Sequence, residues 1–165
     1  MNNITIIRVK EKHIESYWKT FEVVASERKY LGIVNGFPFD ETKKFIQNSI
    51  KNNQPHFFVV NEDDEVVGWC DIMPVDSEAL QLIGYLGIGL LKEYREKGIG
   101  QKLLETTIQA AIEKGFKKVE LEVRDSNSRA IHLYKKLGFL EEKRIKNGLC
   151  IDGINENIIQ MGKVL

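Results

Sequence analysis

The feature that most constrains the fold is a change of hydrophobic period near residue 91. Residues 80–91, LQLIGYLGIGLL, are apolar at nearly every position, as in a strand that is covered on both faces. Beyond them, apolar side chains repeat every three or four positions, which is the period of an amphipathic helix. That stripe comprises Ile99, Leu103, Leu104, Thr107, Ile108, Ala111 and Ile112. The pattern therefore predicts a central strand that leads through a short turn into a helix.

Other segments predict strands and helices on both sides of this unit. Predicted strands lie at 4–9, 56–60, 65–73, 117–123, 140–145 and 157–165, and predicted helices at 11–29, 41–50, 98–114 and 125–137. Asp40 is the expected N-cap of the second helix, and Asn147-Gly148 and Asp152-Gly153 are the expected turns near the end. Taken in chain order, these elements combine antiparallel hairpins with parallel crossover connections. The sequence thus predicts an α+β fold with a mixed, mostly antiparallel central sheet and about four helices, in a single domain over residues 1–165.

Composition is typical of a soluble globular protein. The 165 residues are 42% hydrophobic and 29% charged, and 24 Lys and Arg residues balance 24 Asp and Glu residues. This balance argues against binding to nucleic acid or to a membrane surface. We recognise no signal peptide and no apolar run of the roughly 20 residues that span a bilayer, so we expect a cytoplasmic protein. Cys70 and Cys150 lack metal-ligand spacing, and we expect buried, reduced thiols and no bound metal.

Two glycines stand where the helix must begin. Residues 95–101, REKGIGQ, place Gly98 and Gly100 beside two cations. A helix start offers unpaired N–H groups and a partial positive charge, and glycine lets an anion approach them. An anion cradle is one interpretation, and a tight turn with close helix–sheet packing is the other. Two nucleotide-binding motifs are excluded, because position 103 is leucine and no hydroxyl residue follows Lys102.

Residues 95–100 resemble the acyl-CoA pyrophosphate loop of the GNAT superfamily of N-acetyltransferases, whose pattern is Arg/Gln-x-x-Gly-x-Gly/Ala. The similarity extends to a second signature of that superfamily, formed here by Asn127, Ala130, Tyr134, Gly138 and Phe139. The order of predicted elements also resembles the family's fold from end to end. The resemblance implies a GNAT-like sheet that is splayed at the acyl-CoA site, with acetyl-CoA as co-substrate and no metal.

The resemblance implies two sets of contacts with acetyl-CoA. The first set lies at the strand end and in the loop: Gly89, Leu90, Leu91, Arg95, Glu96, Lys97, Gly98, Ile99, Gly100 and Gln101. The second set lies on the next predicted helix: Asn127, Ala130 and Tyr134. The pantetheine part of the co-substrate is expected in the splay, beside Gly89 and Leu90.

Acylation of an amine requires an acid for the leaving thiolate, a donor for the oxyanion and a base for the amine. The resemblance implies Tyr134 as the acid and the backbone N–H of Leu90 as the oxyanion contact, whereas a core role is the alternative for Tyr134. Some relatives carry a glutamate ten residues ahead of Arg95, where this chain has Tyr85, which argues against a direct carboxylate base. We therefore expect that no single carboxylate is the base and that a water chain reaching backbone carbonyls and Asp71 takes the proton, so that Asp71→Asn costs less than about tenfold in kcat/KM. An exposed strand-edge carboxylate is the alternative for Asp71.

The sequence says less about the acceptor amine than about the acetyl-CoA site. An aromatic loop carries Tyr30 and Phe37, and Arg28 lies just before it. Together with Tyr85, these residues are expected to bind a small primary amine that bears a carboxylate, such as an amino acid, although the aromatics also suit a role in covering the core. A peptide or protein N-terminus is a second acceptor class, and a homodimer is left open. The alternative function is a non-catalytic acyl-CoA-binding sensor, which Tyr134 disfavours and Tyr85 favours.

Overall fold

The computed structural model describes residues 3–80 and 82–165, which form a seven-stranded sheet with α-helices packed on both faces. The strands are β1 (Thr5–Arg8), β2 (His56–Val60), β3 (Val66–Pro74), β4 (Ile83–Leu90), β5 (Lys118–Arg124), β6 (Leu140–Ile151) and β7 (Ile154–Val164). Their order is β1-β2-β3-β4-β5-β7-β6, and all neighbours are antiparallel except β4 and β5, which are parallel. The predicted α+β class with a mixed, mostly antiparallel sheet is confirmed.

Helices cover the sheet on both faces. They are α1 (Ile14–Ser26), α2 (Phe39–Lys51), α3 (Ile99–Lys114) and α4 (Ser128–Lys136). Phe58 and Trp69 of the sheet pack against α1 and α2 in one apolar cluster, and Leu103 and Leu104 of α3 pack into a larger cluster on the opposite face. Because side chains alternate along a strand, the same strands contribute to both clusters. None of the helices in the described ranges is long and apolar enough to cross a membrane.

The sheet opens between β4 and β5. These strands pair only over Ile83–Tyr85, opposite Lys118–Glu120, although both continue further. β4 instead stays with β3 as far as Leu90, and β5 stays with β7 along its whole length. The expected splay beside Leu90 thus begins five residues earlier, directly after Tyr85, and it leaves a gap that faces both layers of helices.

Three local expectations are wrong. Helix α2 begins at Phe39 after Pro38, whose fixed φ suits a helix start, so Asp40 lies in the first turn instead of capping it. Asn147 adopts a left-handed conformation inside a bulge of β6, where the Asn157 side chain accepts its N–H, instead of turning the chain. Cys150 is exposed, because β6 is the edge strand of the sheet.

Candidate active site

Two cavities adjoin at the gap between β4 and β5. The first, here called the loop cleft, lies between the end of β4, the start of α3 and one face of α4, and its volume is about 330 Å³. The second, here called the aromatic pocket, lies on the side of α1 and α2, and its volume is about 700 Å³. Five residues line both cavities: Tyr30, Leu31, Ile88, Asn127 and Tyr134. A ligand that occupies the gap would therefore contact groups from both cavities.

The loop before α3 presents bare backbone to the loop cleft. Gly98 is the N-cap of α3, with φ of 77°, a conformation that favours glycine. The first intrahelical bond runs from the N–H of Lys102 to Gly98 O at 3.2 Å, so the N–H groups of Ile99, Gly100 and Gln101 have no partner within the helix. A Cβ on Gly98 would meet no protein atom within 4 Å. The space beside these N–H groups is therefore open to an anion.

The charge of Arg95 is neutralised within the protein. Its guanidinium donates to the Glu27 carboxylate at 2.8 and 2.5 Å, its Nε donates to Leu90 O at 2.9 Å, and it lies over the ring of Tyr30 at 4.7 Å from the ring centre. The pairing raises the pKa of Arg95 and lowers the pKa of Glu27. Anion binding in the loop cleft must therefore rely on backbone N–H groups and on other cations.

Other polar side chains of the loop cleft come from α4 and were missed in the sequence. Arg129, His132 and Lys136 line the cleft, and their spacing of three and four residues, which places them on one helical face, was the available signal. Asn127, the N-cap of α4, accepts the N–H of Ala130 at 3.3 Å and also lines the cleft.

Most of the predicted acyl-CoA contacts lie around the loop cleft. Ten of the thirteen line it: Gly89, Leu90, Arg95, Glu96, Gly98, Gly100, Gln101, Asn127, Ala130 and Tyr134. Leu91 and Ile99 instead pack against the core, and Lys97 is an exposed residue outside the lining. The structure thus brings together both predicted contact sets, which are about 30 residues apart in the chain.

Alternate backbone groups of β4 face the gap. The N–H of Leu91 donates to Val67 O at 2.9 Å, which makes Gly68 and Leu90 a non-hydrogen-bonded pair of the β3–β4 ladder. The backbone groups of such a residue point away from the partner strand. The N–H of Leu90 and, by alternation, that of Ile88 therefore point to the side that β5 has left. These are donors in the gap, and Leu90 is the predicted oxyanion contact.

Eight aromatic residues line the aromatic pocket. They are Tyr17, Phe21, Tyr30, Phe37, Phe45, Trp69, Tyr85 and Tyr134. Three of them, Tyr30, Phe37 and Tyr85, were predicted to bind the acceptor. Arg28 is not among the lining residues, because it is exposed and donates to Asp152 of the β6–β7 turn through two bonds of 2.9 Å.

Asp71 lies in the interior of the sheet and lines the aromatic pocket. It belongs to β3, which has β2 on one side and β4 on the other, so the alternative of an exposed strand-edge carboxylate is wrong. Its cross-strand partner is Gly87, where an added Cβ would lie 3.4 Å from the carboxylate, so glycine leaves the carboxylate uncovered. Burial raises the pKa of Asp71 to about 7. A carboxyl group with this pKa can accept a proton at neutral pH.

Tyr134 lies where the two cavities adjoin. Its side chain is 7% exposed, packs against Phe139 and lines both cavities. Burial raises the pKa of Tyr134, so the phenol is protonated at neutral pH. The two roles considered from the sequence, a core residue and a proton donor, are therefore compatible in one position.

Two charged residues of the aromatic pocket come from β5 and were missed. Glu122 accepts from Gln160 Nε2 at 2.8 Å, and burial, followed by the nearby Glu122 carboxylate, raises the pKa of Tyr85 to about 12. Arg124 is buried and donates to the carbonyls of Arg28 and Leu31 at 2.9 and 2.5 Å. Alternation along the strand puts the side chains of Glu122 and Arg124 on one face, but only the splay shows that this face lines a cavity.

Replacing Asp71 by asparagine is expected to raise the melting temperature at pH 8 and to leave it nearly unchanged near pH 3. The folded protein retains the Asp71 proton up to about pH 7. The unfolded chain releases it near pH 4, so wild-type stability decreases between these values as the pH rises. Asparagine removes that decrease. The measurement is thermal unfolding from pH 3 to pH 8, with the exposed Asp63→Asn as the control. Equal melting temperatures of Asp71→Asn and wild type at pH 8 would contradict the desolvation of Asp71.

Sequence comparison finds a known family. The profile described as the acetyltransferase (GNAT) family matches residues 12–139. The N-alpha-acetyltransferase of Sulfurisphaera tokodaii is 39% identical over 114 residues, which cover 62% of this chain and 67% of that protein. The N-alpha-acetyltransferase of Saccharolobus solfataricus is 36% identical over 120 residues, which cover 66% of this chain and 70% of that protein. Residues 12–139, which the family profile matches, include the residues that line the loop cleft and most of those that line the aromatic pocket.

Solved structures with the same fold cover the whole chain. An acetyltransferase of the GNAT family from Streptococcus pneumoniae superposes with a TM-score of 0.91 at 25% identity, over 99% of this chain and 100% of that one. A GNAT superfamily phosphinothricin acetyltransferase from Sinorhizobium meliloti, solved in complex with acetyl-CoA, gives a TM-score of 0.91 at 18% identity, over 98% and 88% of the two chains. The fold predicted from the sequence is the fold of these proteins.

Proposed function

We propose that this chain, which belongs to the acetyltransferase (GNAT) family, transfers an acetyl group from acetyl-CoA to a primary amine. The observation that carries the proposal is the position of Tyr134, a buried phenol that lines both the loop cleft and the aromatic pocket. Acetyl-CoA supplies an activated thioester, and the amine enters from the opposite side of the gap. Direct transfer in a ternary complex is then the simplest reaction that uses both cavities.

The residues of the loop cleft fit a CoA ligand. The N–H groups at the start of α3 suit a pyrophosphate, and the gap beside β4 suits the narrow pantetheine chain. In the gap, the N–H of Leu90 would donate to the acetyl oxygen as negative charge develops on it. Tyr134 would donate its phenolic proton to the departing sulfur, and burial, which raises the pKa of the phenol, keeps it protonated at neutral pH.

Asp71 is the group best suited to accept the proton of the amine. An alkylammonium of pKa near 10 is on the order of 0.1% neutral at pH 7, so attack requires loss of a proton. Asp71 has a pKa of about 7 and lies in the wall of the aromatic pocket. We propose that it accepts the proton either directly or through one water molecule. This role is stronger than the one expected from the sequence, where a water chain was the main acceptor.

The charges of the aromatic pocket favour an amine without an adjacent carboxylate. Among the described residues, Glu41, Asp71 and Glu122 line the pocket as acids, and Arg124 is the cation. Two guanidinium nitrogens of Arg124 donate to backbone carbonyls and the group lies 3.7 Å from Glu156, whereas its buried Nε has no hydrogen-bond partner among the described residues. A carboxylate next to the reacting amine would therefore meet three acids and one cation that is largely engaged. The acceptor that we propose is consequently a neutral-tailed or cationic primary amine, rather than a free amino acid.

A peptide N-terminus is the second candidate acceptor, and the names of the archaeal relatives favour it. It also lacks a carboxylate beside the amine, so it satisfies the same charge requirement. The two candidates differ in the group bonded to the carbon that carries the amine. In a peptide this group is the backbone amide, and in a small amine it is a flexible or aromatic tail.

Phenethylamine and phenylalaninamide are expected to react with kcat/KM at least about tenfold higher than phenylalanine, because the three share a ring and differ in the group beside the amine. The assay is release of the CoA thiol from acetyl-CoA, and short peptides in the same panel test the second candidate. Preference for phenylalanine would contradict the proposed acceptor class. Binding of acetyl-CoA without thiol release for any amine would favour the sensor function instead.

Gly98→Val is expected to weaken acetyl-CoA binding by at least about tenfold, because the side chain would enter the space beside the N–H groups of α3. Gly115→Val is the matched control: Gly115 also has a positive φ and open space around it, but it lies at the opposite end of α3. Calorimetry with acetyl-CoA measures both variants. Equal weakening by the two substitutions would assign the effect to backbone strain and contradict the cradle.

Tyr134→Phe is expected to lower kcat by roughly 10²–10⁴-fold with little change in acetyl-CoA affinity, because it keeps the ring and removes the proton. Tyr94→Phe, on the short turn before the loop, removes a phenol outside both cavities and serves as the control. An unchanged kcat in Tyr134→Phe, for an acceptor whose chemical step is rate-limiting, would restrict Tyr134 to packing.

A further inference from the structure

We propose that Glu27, Arg95 and Tyr30 are positioning residues that transmit occupancy of the loop cleft to the 28–37 loop, which walls the aromatic pocket. The inference rests on the proposed function, because it requires a CoA ligand in the loop cleft. It concerns how the two cavities are coupled, and it gives Arg95 a role other than direct contact with the pyrophosphate.

The ion pair between Arg95 and Glu27 joins two distant parts of the chain. The two residues are 68 positions apart in sequence and meet through two parallel hydrogen bonds. Their side chains are only 15% and 23% exposed, so solvent screens this pair less than it screens the surface pairs of the chain. A bidentate contact also fixes the orientation of the guanidinium plane, which a single contact does not do. The start of the loop before α3 is thereby fastened to the C-cap residue of α1.

The bond from Arg95 Nε to Leu90 O ties the same guanidinium to the sheet. In a continuous sheet, a carbonyl that points away from β3 would accept an N–H from β5, but β5 has left β4 at this point. Arg95 replaces that missing donor at 2.9 Å. A displacement of the 95–100 loop by a ligand would therefore act on the end of β4, where the donors of the gap lie, and on Glu27 at the same time.

Tyr30 extends this connection to the aromatic pocket. Its ring stacks on the Arg95 guanidinium and lines both the loop cleft and the aromatic pocket. The bonds from Arg124 to Arg28 and Leu31 fasten the same loop to β5 and not to α3. The contact of Arg95 with Glu27 and Tyr30 is thus a direct connection between the loop that would hold the CoA pyrophosphate and the loop that would hold the acceptor.

Hydrogen–deuterium exchange with and without CoA tests this inference without knowledge of the acceptor. In the wild type, CoA is expected to slow exchange at 95–101 and also, by about threefold or more, at 28–37. In Glu27→Gln, which keeps the shape of the side chain and removes its charge, CoA should still protect 95–101 while the effect on 28–37 is lost. Arg95→Lys should behave in the same way, because it retains the charge and loses the two-pronged, stacked geometry.

Two further variants keep the test decisive. Tyr30→Leu changes a half-buried loop residue and should lose the same transmitted protection even if Glu27→Gln folds poorly. Asp152→Asn removes the charge of a second bidentate pair, that between Asp152 and Arg28 of this loop, and should retain the protection of 28–37.

The outcomes separate the inference from the proposed function. If calorimetry shows that the wild type does not bind CoA, the proposed function fails and this inference fails with it. If CoA binds and protects 28–37 equally in the wild type, Glu27→Gln and Tyr30→Leu, or leaves 28–37 unprotected in the wild type, only the inference is overturned.

Discussion

The separation of β4 from β5 after Tyr85 is the constraint on which the rest of the site depends. Each strand keeps its other neighbour: β4 stays with β3 and β5 stays with β7. The backbone donors of Ile88 and Leu90 are thus free for a ligand without any disruption of the main ladders. An unpaired strand edge can promote aggregation. Here Arg95 donates to Leu90 O at the open edge of β4, and other residues of this edge line the two cavities.

A group that lowers stability lies in the wall of the aromatic pocket. A carboxylate in the interior of a sheet is destabilised by burial, and burial is the cause of the raised pKa of Asp71. Gly87 opposite Asp71 and Gly89 opposite Trp69 give up side-chain packing, and a Cβ on Gly89 would collide with the indole ring. Proteins often retain residues that lower folding stability at a functional site, because activity requires them there. Asp71 and the two glycines are consistent with the function proposed for the junction of the two cavities.

The sequence predicts the parts of the site that depend on local patterns. The glycine-containing loop and the helix that begins there are recognisable because their spacing reflects backbone requirements within a few residues. Asn127 and Tyr134 are recognisable because their spacing matches a family signature. The order of the elements in turn gives the fold class, and the structure confirms that class.

Features that depend on distant contacts could not be read from the sequence. The partner of Arg95 is Glu27, at the end of another helix, and nothing in either local pattern indicates the pair. The sequence around Arg28 and Arg124 does not indicate which of the two is exposed, yet the structure puts Arg28 on the surface and Arg124 in the wall of the aromatic pocket. The environment of Asp71 follows from the position of β3 inside the sheet, which requires the complete strand order.

Removal of the amine proton by Asp71, in the wall of the aromatic pocket, is central to the proposed reaction, and the pH dependence of kcat/KM tests it most directly. Two acceptor amines of different pKa should be compared in the wild type and in Asp71→Asn. We expect an acidic limb that ends near pH 7 for both amines, because the pKa of Asp71 is about 7. We also expect loss of that limb in Asp71→Asn, with a decrease of about a hundredfold or more in kcat/KM. A limb that instead tracks the pKa of each amine, with Asp71→Asn within about tenfold of the wild type, would contradict this role of Asp71.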